Sequence, residues 1–115
     1  MPTVQEIFED LQRRLDADPA RTQGITATYQ FDIEGDGGGQ WHLVIVDGKA
    51  AVGTGPVDNP DTTSTMAADD FVAMASGHLD GTTAYMEGKL KVTGDQFKGM
   101  RLAQIMAVDS ADDDF

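Results

Sequence analysis

The sequence predicts an α+β domain of five strands and four helices around an apolar interior. Three observations support this class. Apolar side chains recur at helical spacing near the start, the period changes to two after residue 24, and a β-rich segment at residues 89–93 precedes a Met-rich helical segment. A chain of 115 residues has the size of one domain. We expect the domain to span residues 3–108 and residues 109–115 to form an acidic, solvated tail.

The first element is a helix that begins after Thr3. Thr3 and Glu6 have the Thr-x-x-Glu spacing of a capping box. Pro19 and Gly24 end the segment. The apolar residues that form one stripe on this helix are Val4, Ile7, Phe8, Leu11 and Leu15. The stripe predicts a helix that buries one face in the core.

An antiparallel meander of three strands follows. Apolar and polar residues alternate over residues 25–33, which is typical of a half-buried strand. The Gly-rich residues 35–39 predict a turn, and Trp41 begins the inward face of the returning strand. Asp47 and Gly48 then predict a tight hairpin into a strand at residues 49–54.

The second half alternates between strands and helices. Residues 62–66 are β-prone and predict a fourth strand. A helix is expected from Asp69 to a C-terminal stop at Gly77. A brief helix at residues 82–87 then leads to the fifth strand at residues 90–93, and Gly94 and Asp95 begin the last helix.

The last helix has apolar residues on two sides. Gly99, Leu102, Ala103 and Met106 form one stripe, with Met100 and Ala107 beside it. The second side is expected to carry Phe97, Ile105 and Val108. Because packing on one surface needs one stripe, the second side predicts a ligand, another subunit or a position over a cavity.

Net charge excludes several kinds of partner. Twenty acidic residues against eight Lys and Arg give a formal charge of −12, which disfavours nucleic acid as a partner and docking on anionic membranes through a basic patch. The acid bias resembles proteins of salt-loving organisms, and an acidic protein of a mesophile is the alternative. The chain has no apolar run of about 18 residues, so no stable membrane insertion is expected. The charged, helical start differs from a signal peptide, and the end carries no lipidation or peroxisomal motif, which predicts a cytoplasmic protein.

No catalytic or metal site is predicted. The chain has no Cys, and the Gly-rich run lacks the Gly-Lys-Ser/Thr sequence of a phosphate loop. Asp32 to Gly37 resembles the start of a calcium loop, but Leu43 occupies the position of the bidentate Glu. His42 and His78 have no convergent ligands in the pattern. We therefore expect a protein that is not an enzyme and needs no cofactor.

Large apolar side chains are concentrated in the C-terminal half. Met is flexible and polarizable, so it suits an adaptable surface. Together with the two-sided last helix, these residues predict an apolar cavity between helices and sheet. The candidate ligand-binding residues are Trp41, Phe71, Met74, Tyr85, Met86, Leu90, Met100, Ile105 and Met106.

These segments resemble the sterol carrier protein 2 family of lipid-binding domains. The matching sequences are WHLVIVDG at residues 41–48, NPDTTSTMAADDF at 59–71, SGHLDGTTAYMEGKLKVTGD at 76–95 and KGMRLAQIM at 98–106. The resemblance implies a five-stranded, mainly antiparallel sheet with helices covering one face. It also implies an apolar tunnel for fatty acids, fatty acyl-CoA, sterols or phospholipids. The chain lacks the peroxisomal tripeptide of some members, and acidic residues outnumber the basic ones in its first helix.

The leading hypothesis is a lipid carrier without chemistry of its own. A prokaryotic source, to which the acid bias points, would favour fatty-acyl or isoprenoid chains over sterol. One alternative is an interaction module whose last helix forms a homodimer or partner interface. Another is an accessory domain that serves a separate lipid-metabolising enzyme. An enzyme in its own right ranks last.

Overall fold

The computed structural model describes residues 2–106, which form one five-stranded sheet, four α-helices and a short 3₁₀ helix at Pro19–Arg21. The helices are α1 (Val4–Ala17), α2 (Ala68–Ala75), α3 (Gly81–Met86) and α4 (Gln96–Met106). The strands are β1 (Ala27–Glu34), β2 (Gly39–Val46), β3 (Lys49–Thr54), β4 (Thr62–Ala67) and β5 (Leu90–Gly94). Each predicted element is present, and the α+β class is confirmed.

The sheet has the order β3-β2-β1-β4-β5 and is mainly antiparallel. The predicted meander is confirmed, since β1 pairs antiparallel with β2 and β2 pairs antiparallel with β3. β4 pairs parallel with β1, with Tyr29 opposite Thr62, and antiparallel with the edge strand β5. The crossover between β1 and β4 places β4 beside β1, the outer strand of the meander, so β1 lies at the centre of the complete sheet.

The helices cover one face of the sheet, as expected. Residues on this face are buried along the central strands: Ala27, Tyr29, Phe31, Ile33, Leu43, Ile45 and Met66. Their neighbours in sequence project from the opposite face, which we call the open face. It carries His42, Thr63 and Lys91, and it is polar for most of its length.

Phe8 lies at the centre of the core. Its ring is fully buried and stacks on Trp41 and Phe71, with centroids 4.7 and 5.1 Å away. Phe31 meets the same ring edge to face at 5.1 Å. The α1 stripe predicted from the sequence therefore joins α1, β1, β2 and α2 in one cluster. The predicted capping box is also present, because Thr3 Oγ1 accepts from the Glu6 N–H at 3.1 Å and the Thr3 N–H donates to Glu6 Oε1 at 2.9 Å.

The orientation of α4 differs from the prediction. Ile105, assigned to the second side, is buried together with Leu102, whereas Phe97 is 85% exposed and Ala103 is exposed. Residues 102 and 105 lie within one turn of each other, so a single buried stripe contains both. Ala107, Val108 and the predicted tail at residues 109–115 lie outside the described residues.

Candidate functional site

The structure divides the nine candidate ligand residues into three groups. Phe71 and Ile105 are buried parts of the core. Half-buried side chains that pack against the core are Trp41, Met74, Leu90 and Met106. The exposed side chains are Tyr85, Met86 and Met100. The tertiary structure therefore does not gather all nine around one space, and their role in binding stays a prediction.

The half-buried residues of the C-terminal half mark where helices meet the sheet. Leu90 lies on β5 opposite the buried Met66. Met74 extends from α2 to the start of α3, because its Cε lies 3.4 Å from where a Cβ at Gly81 would be. Met106 packs against the core from the end of α4. Flexible thioether side chains therefore border this part of the core on two helices.

The exposed apolar side chains lie on the two helices that pack against β5. Tyr85 and Met86 on α3 are 54% and 80% exposed, and Met100 on α4 is 68% exposed. Phe97, the most exposed of them at 85%, was not among the ligand candidates, although the sequence placed it on the second side of α4. Large apolar side chains exposed on neighbouring elements are a feature of ligand and interaction surfaces.

Short capping interactions position α3. Asp80 Oδ2 accepts from the Thr83 N–H at 3.1 Å at its start, and the Lys89 N–H donates to the Ala84 carbonyl at 2.9 Å at its end. Ala84 is fully buried, and it is the one residue of α3 that packs in the interior. The larger side chains of α3 remain exposed to solvent.

Glycine allows α4 to lie close to the sheet. Asp95 Oδ1 accepts from the Lys98 N–H at 3.1 Å and caps the helix. A Cβ at Gly99 would lie 3.4 Å from Val92 Cγ1 and 3.6 Å from Thr62 Cγ2. The sequence placed Gly99 on the packing stripe, and this part of the prediction is confirmed.

The Asp61 carboxylate anchors α4 to the centre of the sheet. Its oxygens accept from the Thr28 N–H at 2.8 Å and from Lys98 Nζ at 3.2 Å. The Thr28 hydrogen bond is the main cause of a lowered Asp61 pKa, partial burial opposes it, and Lys98 adds to it. These contacts are structural, since they join β1, β4 and α4.

Tyr29 adds a second anchor for α4. Its hydroxyl donates to the Lys98 carbonyl at 2.9 Å from a fully buried ring. Burial is the main cause of a raised Tyr29 pKa, the Asp61 carboxylate adds to the rise, and Arg101 opposes it. A phenol that remains protonated and bonded to a main-chain oxygen is a positioning group for the helix.

Two surface hollows lie at the edges of the helical layer. One, of about 280 Å³, lies between α1 and the end of α2 and is lined by residues that include Ile7, Arg14 and Ala75. The other, of about 240 Å³, lies between α4 and the segment entering β1. Neither is lined by any of the nine candidate residues. The apolar cavity between sheet and helices stays a prediction.

Within residues 2–106, no three His, Cys, Asp or Glu side chains gather in an arrangement that could hold a metal ion. His42 Nδ1 lies 2.9 Å from the Gly55 carbonyl on the open face, and His78 is exposed. In the same described part of the chain, no helix has the length and hydrophobicity required to cross a bilayer.

Comparison with known proteins places these features in a family. A model of the SCP-2 sterol transfer family matches residues 8–107. The chain is 38% identical to hydroxysteroid dehydrogenase-like protein 2 of Mus musculus over 104 residues, which cover 90% of this chain and 21% of the relative. The chain therefore spans about a fifth of the length of that relative.

Solved structures share the fold. The solution structure of palmitated SCP2L2 from Aedes aegypti superposes with a TM-score of 0.78 and 26% identity, covering 93% of this chain and 96% of that one. A variant of the sec-alkyl sulfatase PisA1 from Pseudomonas sp. superposes with a TM-score of 0.76 and 25% identity, covering 90% of this chain and 16% of that one. Similarity thus extends to a protein of about the same length and to a region of a much longer one.

Proposed function

The chain belongs to the SCP-2 sterol transfer family, and we propose that it binds and transfers a lipid without catalysing a reaction on it. The observation that carries this proposal is the match of a lipid-transfer family over residues 8–107. The exposed apolar side chains of α3 and α4, together with the half-buried Met74, Leu90 and Met106, support it.

We place the ligand between the sheet and the layer formed by α3 and α4. The two described hollows have volumes below the roughly 300–1,000 Å³ of typical ligand pockets. An acyl chain would therefore enter by displacing α3 from β5. Support comes from the weak anchoring of α3, whose one buried side chain is the small Ala84.

The proposed ligand is a fatty acid, a fatty acyl-CoA or an isoprenoid-like chain, in preference to sterol. The neighbour from Aedes aegypti was solved in a palmitated form. Burying about 16 carbons at ~0.8 kcal/mol per CH₂ gives on the order of 12 kcal/mol. Association costs of roughly 4–15 kcal/mol then leave weak to micromolar affinity, which suits a carrier that must release its ligand.

Leu90→Trp tests the proposal by filling the predicted space. We expect purified protein to carry lipid in native mass spectrometry and to take up a fluorescent fatty acid, and we expect Leu90→Trp to weaken uptake about tenfold. Val46→Trp is the matched control, because Val46 is 53% exposed on the open face. Met74→Trp is the second blocking variant if Leu90→Trp does not fold. Wild-type protein that is always empty and takes up no fatty acid would contradict the proposal.

An accessory role beside an enzyme is the second candidate function. It is favoured by the mouse relative, of which this chain covers 21%, and by the sulfatase, of which it covers 16%. A separate lipid-metabolising enzyme would then draw its substrate from this domain. We expect addition of the chain to raise that enzyme's turnover of an acyl lipid and Leu90→Trp to abolish the rise. Equal turnover with and without the chain would contradict this role.

A further inference from the structure

The sheet ends in two edge strands, β3 and β5, and the side chain of Gln12 closes the first of them. The Val52 N–H donates to Gln12 Oε1 at 2.7 Å, and the Ala50 carbonyl accepts from Gln12 Nε2 at 3.0 Å. A peptide group of a neighbouring strand could bond to this same pair of outward groups. The Gln12 amide therefore takes the place of another strand beside β3.

The outward main-chain groups of β5 are left unbonded. The Asp95 N–H donates to the Asp61 carbonyl at 2.8 Å and continues the register of β4 and β5. Because bonded pairs alternate along an antiparallel ladder, Leu90 and Val92 direct their N–H and carbonyl groups away from β4. Within residues 2–106, no group forms a hydrogen bond with these outward groups. We call this outward side of β5 the β5 edge, and unpaired groups of this kind are a template for another strand.

The side chains of β5 divide between the two faces of the sheet. Leu90 packs against the core and Val92 contacts α4 at Gly99, so both face the helices. Lys91 and Thr93 project from the open face and are exposed. A strand added to the β5 edge would therefore direct alternate side chains towards the helices and towards Lys91.

The helix side of the β5 edge is apolar. Both α3 and α4 pack against β5. Tyr85 and Met86 on α3 and Met100 on α4 are large apolar side chains that remain exposed. Cross-strand and neighbouring apolar contacts stabilise a sheet, so this side favours apolar residues at alternate positions of an added strand.

The open-face side of the β5 edge favours acidic residues. Lys91 is the one charged residue in β4 and β5, and no described side chain forms an ion pair with it. Lys89, directly before the strand, pairs with the exposed Glu87 at 3.3 Å, and such surface pairs contribute little. A carboxylate opposite Lys91 would form a cross-strand pair of opposite charge.

Lys91 also disfavours a second copy of the chain at this edge. Two β5 strands related by a twofold axis bring the same patch together, so two Lys91 side chains would lie near each other. Lysine on an edge strand is one of the devices that prevent self-association, and each copy carries −12. The cation that opposes self-pairing favours a partner strand with acidic side chains.

We propose that the β5 edge binds an extended peptide segment of another protein, in which acidic and apolar residues alternate. The segment runs antiparallel to β5 and bonds to the outward groups of Leu90 and Val92. Its acidic side chains lie beside Lys91, and its apolar side chains lie on the helix side. This inference goes beyond lipid carriage, because it names a docking site for a protein rather than a site for the lipid.

Binding of a synthetic peptide tests the proposal without any change to the protein. The probe is a fluorescently labelled Glu-Val-Glu-Val-Glu-Val-Glu peptide, and anisotropy measures its affinity for the full chain at about 0.15 M salt, where the net charge is largely screened. We expect it to bind, and N-methylation of its Val residues, whose N–H groups point at β5, should weaken binding at least about tenfold. N-methylation of its Glu residues is the matched control and should not weaken binding, because those N–H groups point away from β5. Retained affinity of the first peptide, or its loss in the control, would overturn antiparallel strand addition.

Charge reversal tests the role of Lys91. Lys91→Glu should weaken binding of the unmodified peptide about tenfold. Lys49→Glu, at an exposed position of β3, changes the net charge equally and should have little effect. Equal losses in the two variants would show that only net charge matters and would contradict the proposed contact.

Amide hydrogen exchange locates the peptide on the sheet. In the free protein, the outward N–H of Val92 should exchange faster than that of Val52, which donates to Gln12. The peptide should slow exchange at Leu90 and Val92 and leave Val52 unchanged. Slower exchange at Val52 alone would place the peptide at the other edge and overturn the proposal.

Two further measurements examine other occupants of the β5 edge. Asp113→Asn combined with Asp114→Asn should change peptide affinity no more than Glu34→Gln combined with Asp36→Asn, which removes the same charge. A larger gain in affinity would show that the acidic end of the chain itself competes for β5. A dimer in light scattering that the peptide dissociates would show a second copy there. Either result would overturn the proposal of a separate protein partner.

Discussion

Asp61 shows how much a single residue can determine in a domain of this size. Its main chain is bonded on both sides, because the Asp61 N–H donates to the Thr28 carbonyl and the Asp61 carbonyl accepts from the Asp95 N–H, each at 2.8 Å. Its carboxylate also accepts from the Thr28 N–H and from Lys98. One position therefore registers β1 against β4 and holds the start of α4. In the sequence, Asp61 directly follows Pro60, a position that is typical of a turn.

The lowered pKa of Asp61 predicts a pH-dependent contribution to stability. Since its folded pKa lies below the usual 3.8, the ionised carboxylate stabilises the fold above that value, and this contribution is lost as pH falls through the folded pKa. We expect Asp61→Asn to have a lower urea midpoint than the wild type at neutral pH, and the difference to shrink at acid pH. Asp58→Asn, in the same loop, corrects for the loss of one negative charge. A difference that is the same at all pH values would contradict this prediction.

At the scale of elements, the connection from β5 to α4 depends on Gly94. Its φ of +101° lies in the region that favours glycine, and a Cβ there would overlap the Asp61 carbonyl oxygen. The tight turn directs α4 back across the sheet, where Gly99 contacts Val92. The position of α4 on the sheet therefore follows from the conformation of one turn.

Gly94→Ala should destabilise the fold by about 2 kcal/mol or more, because strain at positive φ adds to a clash with main-chain atoms. Gly88→Ala is the matched control: its φ is +79°, and a Cβ there meets nothing within 4 Å. The control should cost about 1 kcal/mol. Denaturant unfolding of both variants measures the comparison, and equal losses would show that the Asp61 contact does not matter.

At the scale of the whole molecule, a small aromatic core is surrounded by an acidic surface. Phe8 and its three aromatic partners join both halves of the chain. The net charge of −12 over 115 residues opposes this compact state by self-repulsion. Screening by salt weakens the repulsion more than it weakens the buried apolar contacts.

The thermal midpoint of unfolding should therefore rise between low salt and about 1 M NaCl, over which the Debye length falls to about 3 Å. A variant with Glu34→Gln and Asp36→Asn should show a smaller rise, because each change removes a negative charge from an exposed side chain, Glu34 at the end of β1 and Asp36 in the turn that follows. Calorimetry at several salt concentrations measures both. A midpoint that does not respond to salt would show that self-repulsion is unimportant and would remove the support for adaptation to high salt.

Local sequence patterns predicted the helices and strands because the interactions that form these elements are between residues close in sequence. The α1 stripe and its capping box, the hairpin at Asp47 and Gly48, and the strand at β5 each depend on neighbours a few residues away. The rotation of α4 was predicted only in part. Both Phe97 and Ile105 are apolar, and only the packing of Ile105 in the core separates their roles.

By itself, the sequence determined the class of the fold, the helices and strands, the buried face of α1 and the resemblance to a lipid-binding family. Only the tertiary structure decided the parallel pairing of β4 with β1, the separation of the nine candidate residues into buried and exposed groups, and the exposure of Phe97 and Met100 on α4. The spacing of apolar residues shows which side of a helix or strand is apolar, because that spacing involves only residues close in sequence. The partner that covers that side depends on residues distant in sequence, as when Asp61 and Gly94 bring α4 to its place on the sheet.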